Sequence, residues 1–460
     1  MAEELIITIS GMRGIVGENL DAQTAGLYGR AFGTYLQSEG VKNKPDGRIS
    51  VCIGRDSRPS GRMLLSAVAE GLCSMGVDVV ELGIVPTPSV GIMVRHLGCA
   101  GGVVITASHN PIEYNGIKLL LGNGIAPPAD TVEKIRKIYF NKEFGSVDSV
   151  SCGCVSSNEQ AEEVHIKRVL SIVNKDAIAA KGFRVVLDSV NGAGGPIGRK
   201  LLEEFGCEVV AINDEPTGLF AHTPEPTREN LVGLCEVVTE HNADIGFAQD
   251  PDADRLAIVD EKGRYIGEEY TLALAARYVF SRGSGTAATN LSTSRMIDDI
   301  AKAAEGGVIR TAVGEAHVAN AMVEHGCIIG GEGGGGVIDL RVGPVRDSLV
   351  GMALVLGLMS DTGKKVGELA DEIGGYHIKK VKFNANKSEA ARIIAQAIKV
   401  FPDTKIDRTD GVRFDFADGW LHLRSSNTEP VMRVIAEAES EDSAQNYIDK
   451  VMNIRKENID

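Results

Sequence analysis

The sequence predicts an α/β protein of several domains: three similar α/β domains with mixed or mostly parallel sheets, and a C-terminal domain of α+β type. Three observations carry the prediction. At 460 residues the chain exceeds what one hydrophobic core organises, and length alone points to roughly three or four domains. A pattern of short β run, glycine-containing loop and amphipathic helix restarts twice along the chain. The last stretch abandons that pattern for alternating strands.

Taken in order, "RISVCIGRD" is a strand leading into a helix near "GRMLLSAVAEGLCSMG", and "VDVVELG" and "GGVVITAS" are the next strands. From about 183 the pattern restarts with "FRVVLDSVNGAGG", "CEVVAIND" and "ADIGFAQDPDADRLAIVD". A third set runs through "TAATNLSTS", "GVIRTAVG" and "HGCIIGGEGGGG". Such alternation argues for repeated α/β units with mixed or mostly parallel sheets. The repeat is too long for a solenoid. "LVGMALVLGLM" (349–359) is apolar throughout but far short of the roughly 18 residues of a membrane span, so it reads as a buried helix. "HIKKVKFNAN", "GVRFDFADGWLHLRSS" and "VMRVIAEAES" read as antiparallel strands with a turn at Asp418-Gly419, and a charged helix closes the chain. The restarts place boundaries near 151, 260 and 370, giving domains 1–151, 152–260, 261–370 and 371–460.

Composition narrows the function classes. The opening "MAEELIITIS" has neither the basic region nor the apolar run of a signal peptide. Of the cysteines only Cys152 and Cys154 lie close together, which makes neither a zinc site nor a disulfide framework. Free thiols on apolar stretches point to a reducing, cytoplasmic compartment. A net charge of −15 argues against nucleic acid as a partner, and nothing suggests a membrane. An anionic ligand would need a local cluster of arginine and lysine to overcome that field.

Four loops carry chemistry. In "VVITASHNPIEYNGIKLLL" (103–121), Ser108, His109 and the later Lys118 stand on what reads as an exposed turn between two buried strands. Turn chemistry alone accounts for a serine and an asparagine there, but not for the rest. "AQDPDADRLAIVD" (248–260) places Asp250, Asp252 and Asp254 at alternate positions, and three such carboxylates repel unless a cation neutralises them. An EF-hand is excluded because Arg255 stands where its glycine belongs and strands flank the loop. A Mg2+ site open toward a phosphate, with Arg255 aimed at the same phosphate, fits better than a solvated acidic loop. "IIGGEGGGGVIDL" (328–340) contains a formal G-x-G-x-x-G, yet a strand follows it instead of a helix, so it is no dinucleotide site. Glu332 is the only hydrogen-bonding side chain in its glycine run, 330–336. "LRSSNTEPVMRV" (423–434) packs donors together, as a phosphate requires. Ser10 and Arg13 in "ISGMRGIVG" are uninformative alone.

In this order the four loops resemble those of the α-D-phosphohexomutases: phosphoglucomutase, phosphomannomutase and phosphoglucosamine mutase. "TASHNPIEYNGIK" looks like the family's phosphoserine loop, "DPDADR" its metal loop, "GEGGGG" its sugar loop and "RSSNTEPVMR" its phosphate loop. The resemblance implies four domains around a central, deep cleft, and interconversion there of hexose 6-phosphate and 1-phosphate through a phosphoserine and a bound 1,6-bisphosphate. Glucose or hexose 1,6-bisphosphate would be both activator and intermediate. It implies that Ser108 carries the phosphoryl group and completes the ligand set of one Mg2+ with Asp250, Asp252 and Asp254. Arg255 and Arg13 would support the phosphate, and His109 and Lys118 would be the general acid and base. Glu332 would face the sugar, and Arg424, Ser426, Asn427, Thr428 and Arg433 would hold the substrate's other phosphate. The implied partners are small hexose phosphates, taken by a monomer or a dimer. One departure matters: Gly334 and Gly336 stand where much of the family has Ser and His. The opening segment and this loop lean toward phosphoglucosamine mutase, with phosphomannomutase or phosphoglucomutase as the alternative. A metal-dependent sugar phosphatase or a non-catalytic sensor are the rival classes.

Overall fold

The structure is a computed structural model and describes residues 5–8, 11–41, 43, 47–402, 404–425 and 431–457. Its first three units repeat one topology. Each begins with two parallel strands joined through a helix: Ile49–Arg55 and Val77–Ile84, then Arg184–Asp188 and Glu208–Ile212, then Thr286–Asn290 and Gly307–Thr311. A third strand pairs parallel to the first on its other side: Gly101–Ile105, Ile245–Gln249 and Ile329–Glu332. A fourth returns antiparallel as a hairpin: Tyr114–Leu121, Leu256–Asp260 and Gly336–Ile338. The first sheet is extended by Ile6–Thr8 and Gly11–Ile15 at one edge and by Val155–Ser157 at the other. Strands covered on both faces are near-continuously apolar, as parallel Ile245–Gln249 and its antiparallel neighbour Leu256–Asp260 are, every residue buried.

The hairpin that joins the third strand to the fourth is the same place in each unit. It holds the Ser108 turn in the first, the three aspartates in the second and the glycine-rich loop in the third. Three of the four chemistry-bearing loops are therefore topological equivalents.

Helix Ser348–Thr362 contains the expected apolar run, and all residues from Ser348 to Ser360 are buried. Apolar on every face, it must lie between layers. It joins the second and third units into one continuous core that includes Phe205, Phe247, Leu274, Leu354 and Leu369. A polar pin crosses three units at its start. Ser89 Oγ lies 2.8 Å from His165 Nδ1, and His165 Nε2 lies 2.7 Å from Asp347 Oδ2, with all three buried. Asp347 also caps the helix through the N–H groups of Leu349 and Val350.

The fourth unit is a five-stranded antiparallel sheet, ordered His377–Asn384, Val431–Ala438, Gly419–Ser425, Val412–Asp415, Lys405–Asp407, with its own core. Its hairpin turn closes with Phe416 N–H donating to Gly419 O at 2.8 Å. It docks on the third unit through polar contacts: Arg413 to Leu291 O (2.5 Å), Val313 N–H to Asp410 Oδ2 (3.1 Å) and Lys380 to Glu268 (2.6 Å).

His165→Leu leaves the Ser89 hydroxyl and one Asp347 oxygen buried without their partner, a loss of about 3 kcal/mol. The expected outcome is a lower urea midpoint for the first unfolding transition; an unchanged midpoint would mean the pin bears no load.

Candidate active site

The Ser108 turn is held from behind by an arginine. Arg58 is fully buried, and its guanidinium donates to the carbonyls of Ser108, Asn110, Pro111 and Tyr114 at 2.6–2.9 Å. Its Nε donates to Asp56 at 3.0 Å. Arg13 reaches the same turn, donating to Asn110 Oδ1 at 2.8 Å. Ser108 takes a left-handed backbone conformation (φ +52°), uncommon for a non-glycine residue and sustained here by the surrounding bonds. Its Oγ donates to Asp250 Oδ2 at 2.9 Å. The expectation of an exposed turn is corrected: Ser108 is 3% exposed, because the aspartate loop of the second unit lies over it. His109 Nδ1 is 3.3 Å from Ser108 Oγ, and its Nε2 is 3.9 Å from Glu225. Burial, then the charges of Arg255 and Arg13, push His109 down to about 3, so the imidazole is neutral at physiological pH.

The three aspartates are fully buried, and ligand oxygens from all three lie within 4.8 Å of one another. Each has one oxygen tied down. Asp250 Oδ1 accepts the N–H groups of Asp254 and Arg255, both at 3.1 Å. Asp252 Oδ2 accepts Thr87 Oγ1 at 2.6 Å and Lys118 Nζ at 2.7 Å. Asp254 Oδ2 accepts Arg346 Nη2 at 2.6 Å and Lys118 Nζ at 3.4 Å. Among the described residues Asp252 Oδ1 and Asp254 Oδ1 are buried without a hydrogen-bond partner, and Asp250 Oδ2 accepts the Ser108 hydroxyl. Two orphaned carboxylate oxygens beside a third, all hard donors, fit a divalent cation with oxygen preference.

Electrostatics agree with an unneutralised site. Burial, then Asp254 and Asp252, raise Asp250 well above the usual carboxylate range. Burial also opposes ionisation of Asp252, but the charge and hydrogen bond of Lys118 outweigh it and hold Asp252 low. Lys118 is the mirror case: burial works against its charge, and Asp252 and Asp254 overcome it and raise the ammonium.

In the glycine-rich loop Glu332 is buried, and three donors already reach it. Asn290 Nδ2 (2.7 Å) and Gly314 N–H (3.0 Å) bond Oε1, while Arg346 Nη1 (2.8 Å) bonds Oε2. Of about four acceptor positions on a carboxylate, roughly one remains for a ligand. Gly335 (φ +83°) keeps its carbonyl on Leu256 N–H at 2.9 Å, joining this loop to the aspartate loop. Arg255 flanks it, for a side chain at Gly334 would stand 3.9 Å from both Arg255 Nη1 and Glu268 Oε2.

On the fourth unit, Arg424 lies directly opposite Arg433, and Arg433 directly opposite Lys382. Like charges facing across a sheet destabilise it unless an anion joins them. Arg424 is buried with its Nε 3.1 Å from Asp410, whereas Arg433 and Lys382 are exposed. Ser426, Asn427 and Thr428 lie outside the described residues. Sequence reasoning missed Arg58, Thr87, Arg346 and Lys382. The alternation of "HIKKVKF" could have placed Lys382 on the Arg433 face; the other three carry no local signal.

Comparison with known proteins follows the same division. Profiles described as phosphoglucomutase/phosphomannomutase alpha/beta/alpha domains I, II and III match residues 5–146, 163–263 and 268–376, and the C-terminal domain of that family matches 379–454. The chain is 40% identical over 445 residues to a phosphoglucomutase/phosphomannomutase of Thermococcus kodakarensis, covering 95% of this chain and 96% of that one. It is 38% identical over 451 residues to a "Probable phosphoglucosamine mutase" of Methanopyrus kandleri, covering 97% and 96%. A crystal structure of a phosphoglucomutase/phosphomannomutase family protein from Burkholderia thailandensis superposes with a TM-score of 0.87 at 27% identity, covering 99% and 98%.

Replacing Asp252 by Asn removes a charge and one of the two orphaned oxygens. Titration calorimetry with Mg2+ should show affinity lower by about tenfold or more. Parent-like binding would mean the cation, if any, sits elsewhere.

Proposed function

The chain belongs to the phosphoglucomutase/phosphomannomutase family, and from that we propose that its phosphohexomutase reaction runs through Ser108, with glucosamine phosphate at least as good a substrate as glucose or mannose phosphate. It is an isomerase of the phosphohexomutase type. The observation that carries the assignment to Ser108 is its Oγ, 2.9 Å from Asp250, which clusters with two carboxylates that have orphaned oxygens.

Asp250, Asp252 and Asp254, with an oxygen on Ser108, would hold Mg2+. A bound Mg2+ supplies positive charge against the oxygens of the transferring phosphoryl group. The chain's own residues do the rest. Phospho-Ser108 gives its phosphoryl group to a hydroxyl of the hexose monophosphate: the new O–P bond forms as the Oγ–P bond breaks. The attacking hydroxyl loses a proton and Oγ regains one. His109, with Nδ1 3.3 Å from Oγ, is placed to pass that proton. Lys118, fixed between Asp252 and Asp254, stands as a charge toward the phosphoryl group. Arg58 and Arg13 keep the turn rigid through transfer. The 1,6-bisphosphate then turns end for end and returns its other phosphate to Ser108. The distal phosphate is held by Arg424, Arg433 and Lys382, with Ser426, Asn427 and Thr428.

The reading of the sugar rests on the loop. With glycine at 334 and 336 and about one acceptor left on Glu332, little can be left unpaired by the wrong sugar, so discrimination is weak. The remaining acceptor is charged and favours a 2-ammonium group. Relatives divide the same way between phosphoglucosamine mutase and phosphoglucomutase/phosphomannomutase. The chain divides into a phosphoserine domain, a metal domain, a sugar domain and a phosphate domain near 151, 260 and 370. Its eight free cysteines support a cytoplasmic location. Among the described residues no helix is long and apolar enough to cross a membrane.

Ser108→Ala should abolish isomer formation, and phosphopeptide analysis of active protein should place phosphate on Ser108. Near-normal turnover in the variant defeats the assignment, and release of inorganic phosphate in place of isomer would make the protein a phosphatase. Glu332→Gln turns an NH2 group toward Arg346 and removes the charge. kcat/KM should fall for all three sugars and most for the amino sugar, whereas equal losses would mean Glu332 only orients the ring.

A further inference from the structure

The glycine at 336 and the arginine at 346 occupy one space. A β-carbon on Gly336 would meet Arg346 Cγ at 2.8 Å and Cβ at 3.2 Å, and would run into Cδ. At Gly334 nothing comes nearer than 3.9 Å. Of the two glycines where the loop departs from the family pattern, 334 is open and 336 is filled by the residue that precedes the cap of the next helix.

What fills it is a fork between two loops. Arg346 side chain is 13% exposed. Nη2 donates to Asp254 Oδ2 at 2.6 Å and Nη1 to Glu332 Oε2 at 2.8 Å. Nε lies 3.5 Å from Glu315, whose other oxygen accepts the Arg346 N–H at 2.6 Å. The next residue, Asp347, is fixed by His165 and by two helix N–H groups, so the backbone that presents the fork is itself immobilised. A guanidinium can hold two carboxylates in a set plane in a way an ammonium cannot. By taking Oδ2, Arg346 leaves Oδ1 as the Asp254 oxygen without a hydrogen-bond partner, 3.9 Å from Arg255 Nε and available to a cation.

We infer that Arg346 is a positioning residue that sets Asp254 and Glu332 together, in the space a side chain at 336 would otherwise occupy. The inference rests on the mutase reading for its substrate arm but not for its metal arm. It ties the cation ligand to the sugar contact through one side chain, so neither loop can shift without the other. In this chain Gly336 and Arg346 form one device, since a side chain at 336 would displace the guanidinium stem.

Arg346→Met, Arg346→Lys, Gly336→Ser and the double variant Gly336→Ser/Arg346→Met test this. Mg2+ affinity is read by calorimetry without substrate, and KM and kcat are read with glucosamine, glucose and mannose phosphates. Arg346→Met should weaken Mg2+ about tenfold or more, as loss of a residue behind a metal ligand does, and should raise KM as well. Gly336→Ser should reproduce both effects by displacing the guanidinium, and the double variant should be no worse than the poorer single. Arg346→Lys keeps the charge but reaches one partner, so only one of the two readouts should recover. It also supplies the reading if Arg346→Met fails to fold. Parent-like Mg2+ affinity and KM with only a lower kcat or melting temperature, full recovery in the lysine variant, or losses that multiply in the double variant would each overturn the assignment. A parent that binds Mg2+ but isomerises no hexose phosphate would defeat the mutase reading and leave the Arg346 assignment to the metal arm.

Discussion

Three fully buried carboxylates within 4.8 Å of one another are the constraint around which this molecule is arranged. Like charges in a medium of low dielectric repel strongly, and a folded chain tolerates them only by surrounding each with donors and cations. The donors come from every neighbouring unit. The first contributes Thr87, Lys118 and the Ser108 hydroxyl, the second its own backbone N–H groups, and the third Arg346. None of these units could satisfy the triad alone. The apolar core that merges the second and third units, and the Ser89–His165–Asp347 pin that adds the first, hold the charges in their mutual geometry.

Repetition explains how one chain places three unlike loops at one point. In each unit a parallel strand ends and returns as an antiparallel neighbour, and that hairpin emerges at the same edge of the sheet. Docked together, three copies converge three hairpins. Their sequences then diverge according to task. The first needs a serine in a left-handed turn, the second needs carboxylates, and the third needs a backbone thin enough to touch its neighbours. Gly335 meets this last demand, bonding Leu256 N–H where a side chain would strike the Leu256 carbonyl.

The fold and the reactive side chains were legible in the sequence because both are written locally. Apolar periodicity gives strands and helices, and the alternate aspartates sit within five residues of each other. What the sequence did not disclose is long-range pairing. Arg58 stands about fifty residues from the carbonyls it gathers, Thr87 meets Asp252 across 165 positions, and Arg346 meets Asp254 across 92. No window of sequence contains both partners, and an isolated arginine or threonine looks like any other. Burial of Ser108 was misread for the same reason. The turn is polar and rich in turn formers, so it reads as exposed, while the loop that covers it lies far along the chain. Arg58, Thr87 and Arg346 thus went unrecognised beside an aspartate triad that was plain.

Charge also explains why the fourth unit differs in kind. A phosphate at the reacting end meets fixed, buried partners whose positions are set by the core. The other end of the same bisphosphate must be gripped in either of two orientations, which rigid, desolvated donors would resist. On the proposed reading, the row Arg424, Arg433, Lys382 meets that need differently: one buried cation anchored by Asp410, followed by two exposed ones on long side chains. Long exposed cations adapt to a phosphate presented at different angles. They also create the local positive field that a chain of net charge −15 needs to draw in an anion. The anchor is not isolated from the sugar. Asp410 accepts the N–H of Val313, and the next N–H, of Gly314, reaches Glu332, which shares Arg346 with Asp254. On the proposed reading, the phosphate, sugar and cation positions are joined by one ion pair, a peptide step and a run of hydrogen bonds. On that reading a substrate bound at the far end would bear, through Arg346, on the aspartate cluster beside Ser108.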